Sequence, residues 1–288
     1  SMQGSMTSIL ECSQLQPGKD TILYICPGFS AHGRQPDILG IKNLTFDIYE
    51  YRAERLRDKL ESYFKQGNIA AILYSNPNNP AWICLTEEEL QIIGELANKY
   101  DVIVLEDMAY LCMDFRKDMS VPFEPPFQST VARYTDNYVI LLSGSKIFSY
   151  AGERIAVVCI SDKLYEREYP ALKEKWGISK FGDNFILNYL YVNTSGASHS
   201  AQYALSAMFE ASVDGRYNFV AELRNYGLRA HRSREIFDRH GFHLVYDKDM
   251  EQTISDGFFY TVGYRDLGNR ELLETLLRCG IIAIPLNT

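Results

Sequence analysis

Lys146 is the residue of this sequence whose surroundings most suggest chemistry. It lies in a loop rich in serine and glycine, Ser143-Gly144-Ser145-Lys146, and Arg154 follows in the same loop. The apolar runs 138–142 and 155–160 flank the loop, and short apolar runs of this kind predict buried strands. A lysine between two strands is either a solvated surface charge or a nucleophile. The rest of the chain must decide between these two interpretations.

Four further side chains that could act on a ligand come soon after predicted strands. They are Phe29 after 21–26, Asn79 after 69–74, and Asp107 and Tyr110 after 102–105. In open α/β sheets, ligands bind at the carboxyl ends of the strands. Phe29 either stacks on a bound ring or packs in the core. Asp107 is either a ligand-binding carboxylate or the cap of a helix.

The elements that would position these side chains alternate between strand and helix. Apolar strands joined through amphipathic helices, such as the segment 86–99, predict a mainly parallel central sheet with helices on both faces. From about Asp214 the pattern changes to a long helix followed by separated strands, which indicates a smaller, partial α+β lobe. The sequence therefore predicts an α/β protein with a large domain over residues 1–213 and a partial small domain over 214–288.

Composition argues against several classes of protein. The chain has 288 residues, 46% of them hydrophobic, and a formal net charge of −8, which disfavours extended contact with nucleic-acid phosphates. No apolar run reaches the roughly 18 residues of a membrane helix, and the first residues do not resemble a signal peptide. The six cysteines and five histidines show no metal-binding spacing. We expect a soluble cytoplasmic protein that binds neither nucleic acid, membrane nor metal.

Three motifs, taken in order, are similar to those of one enzyme family. They are Asn76-Pro77-Asn78-Asn79-Pro80, the Asp-x-x-Tyr of Asp107 to Tyr110, and Ser143-x-Ser145-Lys146 with Arg154 after it. Through their order and approximate spacing, the sequence resembles the fold-type I pyridoxal-phosphate enzymes, specifically the class I/II aminotransferases, over nearly its whole length. The resemblance implies pyridoxal 5′-phosphate as cofactor and an amino acid and a 2-oxo acid as substrates. It also implies a homodimer when the protein is full length.

The resemblance implies a role for each of these residues. Lys146 would form a Schiff base with the cofactor aldehyde and, once the amino substrate displaces it, would move a proton. Asp107 would keep the ring nitrogen protonated, and Asn79 and Tyr110 would hydrogen-bond the ring oxygen. The remaining cofactor-binding residues that it implies are Phe29, which would stack on the ring, and Ser143, Ser145, Arg154, Ser1, Met2 and Gln3, most of them around the phosphate.

The sequence departs from the family pattern at three places. The family has a segment ahead of the phosphate motif, and an arginine for the substrate carboxylate some tens of residues after a strand like 281–284. The usual Pro-Thr/Ser-Gly is here Pro80-Ala81-Trp82. We expect the 288 residues to be part of a longer aminotransferase-like protein, truncated at both ends. By themselves they are expected to bind the cofactor weakly and to turn over little.

Other functions stay open on the sequence alone. A pyridoxal-phosphate-dependent β-lyase or decarboxylase would use the same residues, because these residues handle the cofactor and not the substrate side chain. An aminotransferase-like ligand-sensing domain of a transcription regulator would carry a basic winged-helix segment upstream. A plain α/β scaffold would require Lys146, Asp107 and Asn79 to coincide by chance.

Overall fold

Six strands form one sheet at the centre of the computed structural model, which describes residues 1–119, 121–255 and 257–286. The strands are β1 (Thr21–Cys26), β2 (Lys42–Asp47), β3 (Ile69–Ser75), β4 (Ile103–Asp107), β5 (Tyr138–Ser143) and β6 (Ala156–Ile160). Their order is β2-β1-β3-β4-β5-β6, and every neighbouring pair is parallel except β5 and β6. This mainly parallel sheet confirms the predicted α/β class.

Helices lie on both faces of the sheet. Those before residue 214 are α1 (Met2–Cys12), α2 (Ser30–Leu39), α3 (Glu54–Phe64), α4 (Glu87–Tyr100), α5 (Gly144–Ile147), α6 (Asp162–Tyr165), α7 (Pro170–Trp176), α8 (Phe181–Asn184), α9 (Tyr191–Thr194) and α10 (His199–Val213), with a π-helical turn at Phe185–Leu190 and 3-10 turns at Ile48–Glu50, Val131–Arg133 and Ala151–Glu153. Successive strand residues point to opposite faces. Leu23 and Ile72 therefore pack with α3 and α4, whereas Ile22 and Leu73 pack with α1 and α7.

Local sequence explains where some helices begin. At the start of α4, Thr86 Oγ1 accepts a hydrogen bond from the Glu89 backbone (3.1 Å), and Glu89 Oε2 accepts one from the Thr86 backbone (3.0 Å). This capping box satisfies two donors that a helix start would otherwise leave unpaired. α6 ends at Tyr165, and α7 begins at Pro170, whose fixed φ and missing N–H suit the first position of a helix. Among the helices of the described residues, none has both the length and the apolar character of a membrane span.

The C-terminal segment, by which we mean the described residues after Asp214, combines two helices with two small sheets. Its elements are α11 (Phe219–Arg239), β7 (Phe242–Leu244), β8 (Lys248–Asp249), β9 (Gln252–Thr253), β10 (Val262–Tyr264) and α12 (Asn269–Arg278). β7 pairs antiparallel with β10, and β8 with β9. The apolar run 257–262 predicts a strand, but of this run only Val262 lies in one (β10), because Phe258 and Phe259 pack against other aromatic rings. The run 281–284 forms no strand, and its isoleucines are exposed.

A buried group of charges joins the C-terminal segment to the central sheet. Arg52 donates to Glu89 Oε1 (2.7 Å) and to Asp249 Oδ1 (2.6 Å), and Arg116 donates to Asp249 Oδ2 (2.8 Å) and Asp114 Oδ1 (2.7 Å). We call these five residues the Arg52 cluster. Asp249 lies in β8, so two arginines from the first half of the chain fix the position of this part of the C-terminal segment.

Candidate active site

One cavity of about 1720 Å³ lies where β3, β4 and β5 reach their carboxyl ends. All eleven residues proposed from the sequence line it, namely Ser1, Met2, Gln3, Phe29, Asn79, Asp107, Tyr110, Ser143, Ser145, Lys146 and Arg154. They come from widely separated parts of the chain, and the parallel sheet brings them together because its strands end at the same edge. The structure therefore unites every residue that the sequence singled out.

Asp107, the last residue of β4, carries the buried carboxylate of the cavity. Its Oδ1 accepts a hydrogen bond from the Ala109 backbone (3.1 Å), and its Oδ2 lies 3.2 Å from Nε2 of His32. His32 is fully buried and sits in the first turn of α2, three residues after Phe29. The helix-cap hypothesis for Asp107 accounts only for the contact with Ala109. The other oxygen faces an imidazole.

Sequence reasoning missed His32. The signal was available in the spacing, because residues three apart at a helix start lie on the same side of the helix. A helix that begins beside Phe29 therefore places His32 behind it, and the two rings meet edge to face at 5.6 Å. His32 thus braces the Phe29 ring on one side and the Asp107 carboxylate on the other.

Asn79 and Tyr110 form a second polar pair on the cavity wall. Asn79 Nδ2 lies 3.0 Å from the Tyr110 hydroxyl oxygen and donates to it. Burial raises the pKa of Tyr110 to about 12; the hydrogen bond from Asn79 opposes the rise and the charge of Asp107 adds to it. The Tyr110 phenol is therefore protonated at neutral pH, and its O–H is free to donate to a third group.

The lysine loop follows β5 as the short helix α5. Ser143 caps it by accepting a hydrogen bond from the Ser145 backbone (3.3 Å). A Cβ on Gly144 would meet Leu205 Cδ1 at 3.3 Å and the Ile155 carbonyl oxygen at 3.4 Å, so a larger residue would crowd the loop. Lys146 is half-buried, and its Nζ lies 5.0 Å from the centre of the Phe258 ring. Lys146 is thus held at the cavity and is not a freely solvated surface charge.

The Arg154 side chain and the first turn of α1 both face the other end of the cavity, where they present hydrogen-bond donors. Arg154 is exposed and adopts a left-handed backbone (φ 53°), with its Nη1 donating to the Ala151 carbonyl at 2.7 Å. The first turn of α1 faces the same space and carries no acidic residue. A Cβ on Gly4 would lie 2.8 Å from Val158 Cγ2, so glycine lets this helix start approach the sheet closely. Unpaired backbone N–H groups and a guanidinium together suit a dianion.

Comparisons with known proteins agree with this geometry. The model of the family "Aminotransferase class I and II" matches residues 2–288. The mitochondrial kynurenine/alpha-aminoadipate aminotransferase of Bos taurus is 34% identical over 164 residues, which are 53% of this chain and 36% of that protein. The chain therefore aligns with little more than a third of this relative's length.

Solved structures extend the comparison to the fold. An aromatic aminotransferase from Pyrococcus horikoshii superposes with a TM-score of 0.69 at 16% identity, over 98% of this chain and 68% of that one. Cystalysin from Treponema denticola, whose crystal structure contains pyridoxal 5′-phosphate, superposes with a TM-score of 0.65 at 14% identity, over 96% of this chain and 65% of that one. At these identities the likeness shows a common fold, of which this chain spans about two thirds.

Proposed function

Because this chain belongs to the class I and II aminotransferase family, we propose that it acts as a pyridoxal-phosphate-dependent aminotransferase, moving an amino group between an amino acid and a 2-oxo acid. The observation that carries the proposal is the single cavity that holds Lys146, Asp107 and Arg154 together. An amine, a buried carboxylate and a guanidinium are the three groups that such a cofactor requires at its aldehyde, its ring nitrogen and its phosphate.

The donors and acceptors of the cavity fit pyridoxal phosphate part by part. Lys146 would hold the aldehyde carbon, Asp107 the ring nitrogen, and Asn79 and Tyr110 the ring oxygen. Phe29 would stack on the ring, and the phosphate would take Ser143, Ser145, Arg154 and the first turn of α1, with Ser1, Met2 and Gln3. Asp107 supports the fit most specifically, because a buried carboxylate on the cavity wall, held in place by His32, is suited to keep a ring nitrogen protonated.

When bound, the cofactor would supply the carbonyl carbon that receives the amino group and a ring that withdraws electrons from the substrate α-carbon. The chain's own groups do the rest. The Lys146 amine would take the proton from the substrate α-carbon and deliver it to the former carbonyl carbon of the cofactor. The Tyr110 phenol, protonated because burial raises its pKa, would donate to the ring oxygen. His32 would keep the Asp107 carboxylate in place.

The larger organisation of the protein is part of the same proposal. Residues 1–213 would form the cofactor-binding domain, and 214–288 would belong to a smaller domain. A homodimer of the full-length protein is supported by apolar side chains exposed on the helices beside the cavity, including Leu187, Tyr191 and Val192. A cytoplasmic location is supported by the acidic composition and by the six free thiols.

Absorbance spectroscopy of the full-length protein mixed with pyridoxal phosphate tests the proposal. We expect a protein-bound cofactor band that disappears in Lys146→Ala, and conversion of an amino acid to its 2-oxo acid with transfer of the amino group to an added acceptor. The absence of any band would overturn the cofactor assignment. Release of ammonia and pyruvate, without amino-group transfer, would overturn the aminotransferase assignment in favour of a β-lyase.

A further inference from the structure

Trp82 occupies a position where a tryptophan is unfavourable. It has a left-handed backbone (φ 54°), a conformation that costs non-glycine residues energy, and its side chain is 1% exposed. Its indole N–H has no hydrogen-bond partner among the described residues, and a buried unpaired donor also lowers stability. Glycine would suit the backbone and phenylalanine the ring. Stability alone therefore does not explain the residue.

The Trp82 ring lies between the cavity wall and the C-terminal segment. It meets the Tyr110 ring edge to face at 4.8 Å and the Phe259 ring at 5.2 Å, and Tyr110 and Phe259 are 6.2 Å apart. The three rings thus contact one another, and Tyr110 packs against both Trp82 and Phe259. Movement of the Tyr110 ring toward Trp82 or Phe259 would require one of these rings to shift.

The backbone of Trp82 is fixed from both sides. Its N–H donates to the Asn78 carbonyl at 3.0 Å, and its carbonyl accepts from the Ser255 N–H at 2.9 Å. The first bond ties it to the loop that carries Asn79, and the second ties it to the C-terminal segment. One residue therefore contacts the support of Asn79, the ring of Tyr110 and the chain that leads to Phe258.

The absence of a side chain at Gly257 leaves room for the Trp82 indole. A Cβ on Gly257 would lie 2.0 Å from Trp82 Cδ2 and 2.1 Å from Cε3, so no residue with a side chain fits opposite the ring. The next residue, Phe258, lies over Lys146, and the one after it packs against Trp82 and Tyr110. The pairing of Trp82 with Gly257 therefore sets the position of both phenylalanines relative to the cavity.

We propose that Trp82 is a positioning residue, which holds the Tyr110 ring and the Phe258 ring at the candidate active site by wedging between Tyr110 and Gly257. The contacts do not depend on any cofactor. Their consequence for ligand binding rests on the proposed function, because there Tyr110 would bind the ring oxygen.

The direct test titrates Tyr110 in the protein without cofactor. The difference in absorbance near the tyrosinate band between each protein and its Tyr110→Phe counterpart isolates this phenol among the twenty tyrosines. In the parent protein, we expect no Tyr110 step below about pH 11, because burial holds the pKa near 12. In Trp82→Ala, water reaches the ring, and we expect a step about one pH unit or more lower. Circular dichroism at each pH confirms that the protein is folded.

A milder variant and a matched control complete the test. Trp82→Phe keeps a ring beside Tyr110 and removes the unpaired N–H. Its Tyr110 step should therefore fall between those of the parent protein and Trp82→Ala, while the protein keeps its stability. This variant decides the outcome if Trp82→Ala does not fold. Trp176→Phe replaces the other tryptophan, which contacts Tyr189 and is 39% exposed, and should leave the Tyr110 step where it is.

Gly257→Ala tests the packing of Trp82 against Gly257 from the glycine side. In the parent background the new methyl group meets the indole, so the urea midpoint should fall and Lys146 should react faster with an acylating reagent as Phe258 is displaced. In the Trp82→Ala background the methyl group has room, and the same substitution should have a much smaller effect on both. Equal effects in the two backgrounds would overturn the steric pairing.

The outcomes separate this inference from the function proposed above. If Trp82→Ala and Trp82→Phe change unfolding but leave the Tyr110 step in place, Trp82 only fills space and the inference is wrong. If the step moves, but the full-length protein binds no pyridoxal phosphate, the inference stands and the proposed function fails. If the inference about Trp82 and the proposed function are both correct, Trp82→Ala should weaken pyridoxal phosphate binding roughly tenfold, as expected when one ligand hydrogen bond is misaligned.

Discussion

The Arg52 cluster and the cavity around Lys146 use charge in opposite ways. In the Arg52 cluster, the Asp249 carboxylate accepts hydrogen bonds from Arg52 (2.6 Å) and Arg116 (2.8 Å). Glu89 accepts from the same Arg52 guanidinium, and Asp114 from that of Arg116. In the cavity, neither Lys146 nor Arg154 forms an ion pair with any described residue, and Asp107 Oδ2 has the His32 imidazole as its neighbour. In the Arg52 cluster, each charged group has an oppositely charged partner among the described residues. In the cavity, Lys146 and Arg154 have none.

This difference separates a structural cluster from a candidate binding site. Buried charges that serve folding must find their partners inside the protein, because leaving one of them unpaired is costly. Charges that serve a ligand keep donors and acceptors available for it. Variants in the two regions should therefore have separable effects, with stability lost in one and ligand binding in the other.

Arg52→Ala should give the largest change in stability. It leaves Glu89 and part of Asp249 as uncompensated buried charges, and we expect a loss of about 3–5 kcal/mol in the free energy of unfolding. Urea denaturation measures it. Arg57→Ala, which removes a partly exposed pair with Glu95 (2.8 Å), is the matched control and should cost about 0–1 kcal/mol. Equal losses in the two variants would contradict the structural role of the cluster.

Glu106→Gln should change how stability depends on pH. Burial raises the pKa of Glu106 from its ordinary 4.5 to about 7, against the opposing hydrogen bonds from Thr130 and Val131. Between these two pH values the folded state binds the proton more tightly than the unfolded state, so stability falls as pH rises from 4.5 through 7. The glutamine variant should lose less stability over this range than the parent protein, by a difference of roughly 3 kcal/mol.

Unfolding curves at pH 5 and pH 8 measure this difference. Exposed Glu88 on α4 offers the control, since Glu88→Gln should leave the pH dependence unchanged. Glu106 precedes Asp107 in β4 and points to the other face of the sheet, so Glu106→Gln should not affect cofactor binding. If the parent protein and Glu106→Gln lose the same stability between pH 5 and 8, Glu106 is not buried as described.

Asp107→Asn should produce the opposite pattern. The amide oxygen still accepts from the Ala109 backbone, so unfolding should change little. Loss of the charge-assisted contact should weaken pyridoxal phosphate binding roughly 10- to 100-fold. Equilibrium titration of the full-length protein with the cofactor measures the change. An unaltered affinity would mean that Asp107 does not face the cofactor ring.

Asn79→Ala should have the smallest effect of the four. It removes one donor to Tyr110 and, under the proposed function, one donor to the ring oxygen. A single neutral hydrogen bond accounts for about 0.5–1.5 kcal/mol, which corresponds to a two- to tenfold weaker affinity for the cofactor. Asn43→Ala removes an exposed hydrogen bond to Asp37 and should leave the affinity unchanged.

The parts of the structure that the sequence predicted are those governed by local pattern. The strands β1, β3, β4 and β5 follow short apolar runs, and the position of Lys146, Asp107 and Asn79 at one edge follows from a parallel sheet. The parts that it missed depend on contacts between distant residues. Arg52 and Asp249 are 197 positions apart, and the role of Trp82 depends on Gly257. No local window contains either pair.

The C-terminal segment shows the same limit. The apolar run 257–262 predicts a strand, because its residues are apolar and aromatic. In the structure, Phe258 and Phe259 instead turn toward Lys146 and Trp82. The attraction of the aromatic groups around the cavity outweighs strand propensity there, as tertiary packing often does.

Covalent trapping of the cofactor tests the central claim most directly. The full-length protein is mixed with pyridoxal phosphate, reduced with sodium borohydride, digested, and its peptides are identified by mass. We predict a single pyridoxyl group on the peptide that contains Lys146, and none on that peptide in Lys146→Ala. A label spread over surface lysines at the same level, or a label that persists elsewhere with equal yield when Lys146 is replaced, would contradict the assignment of this cavity as the cofactor site.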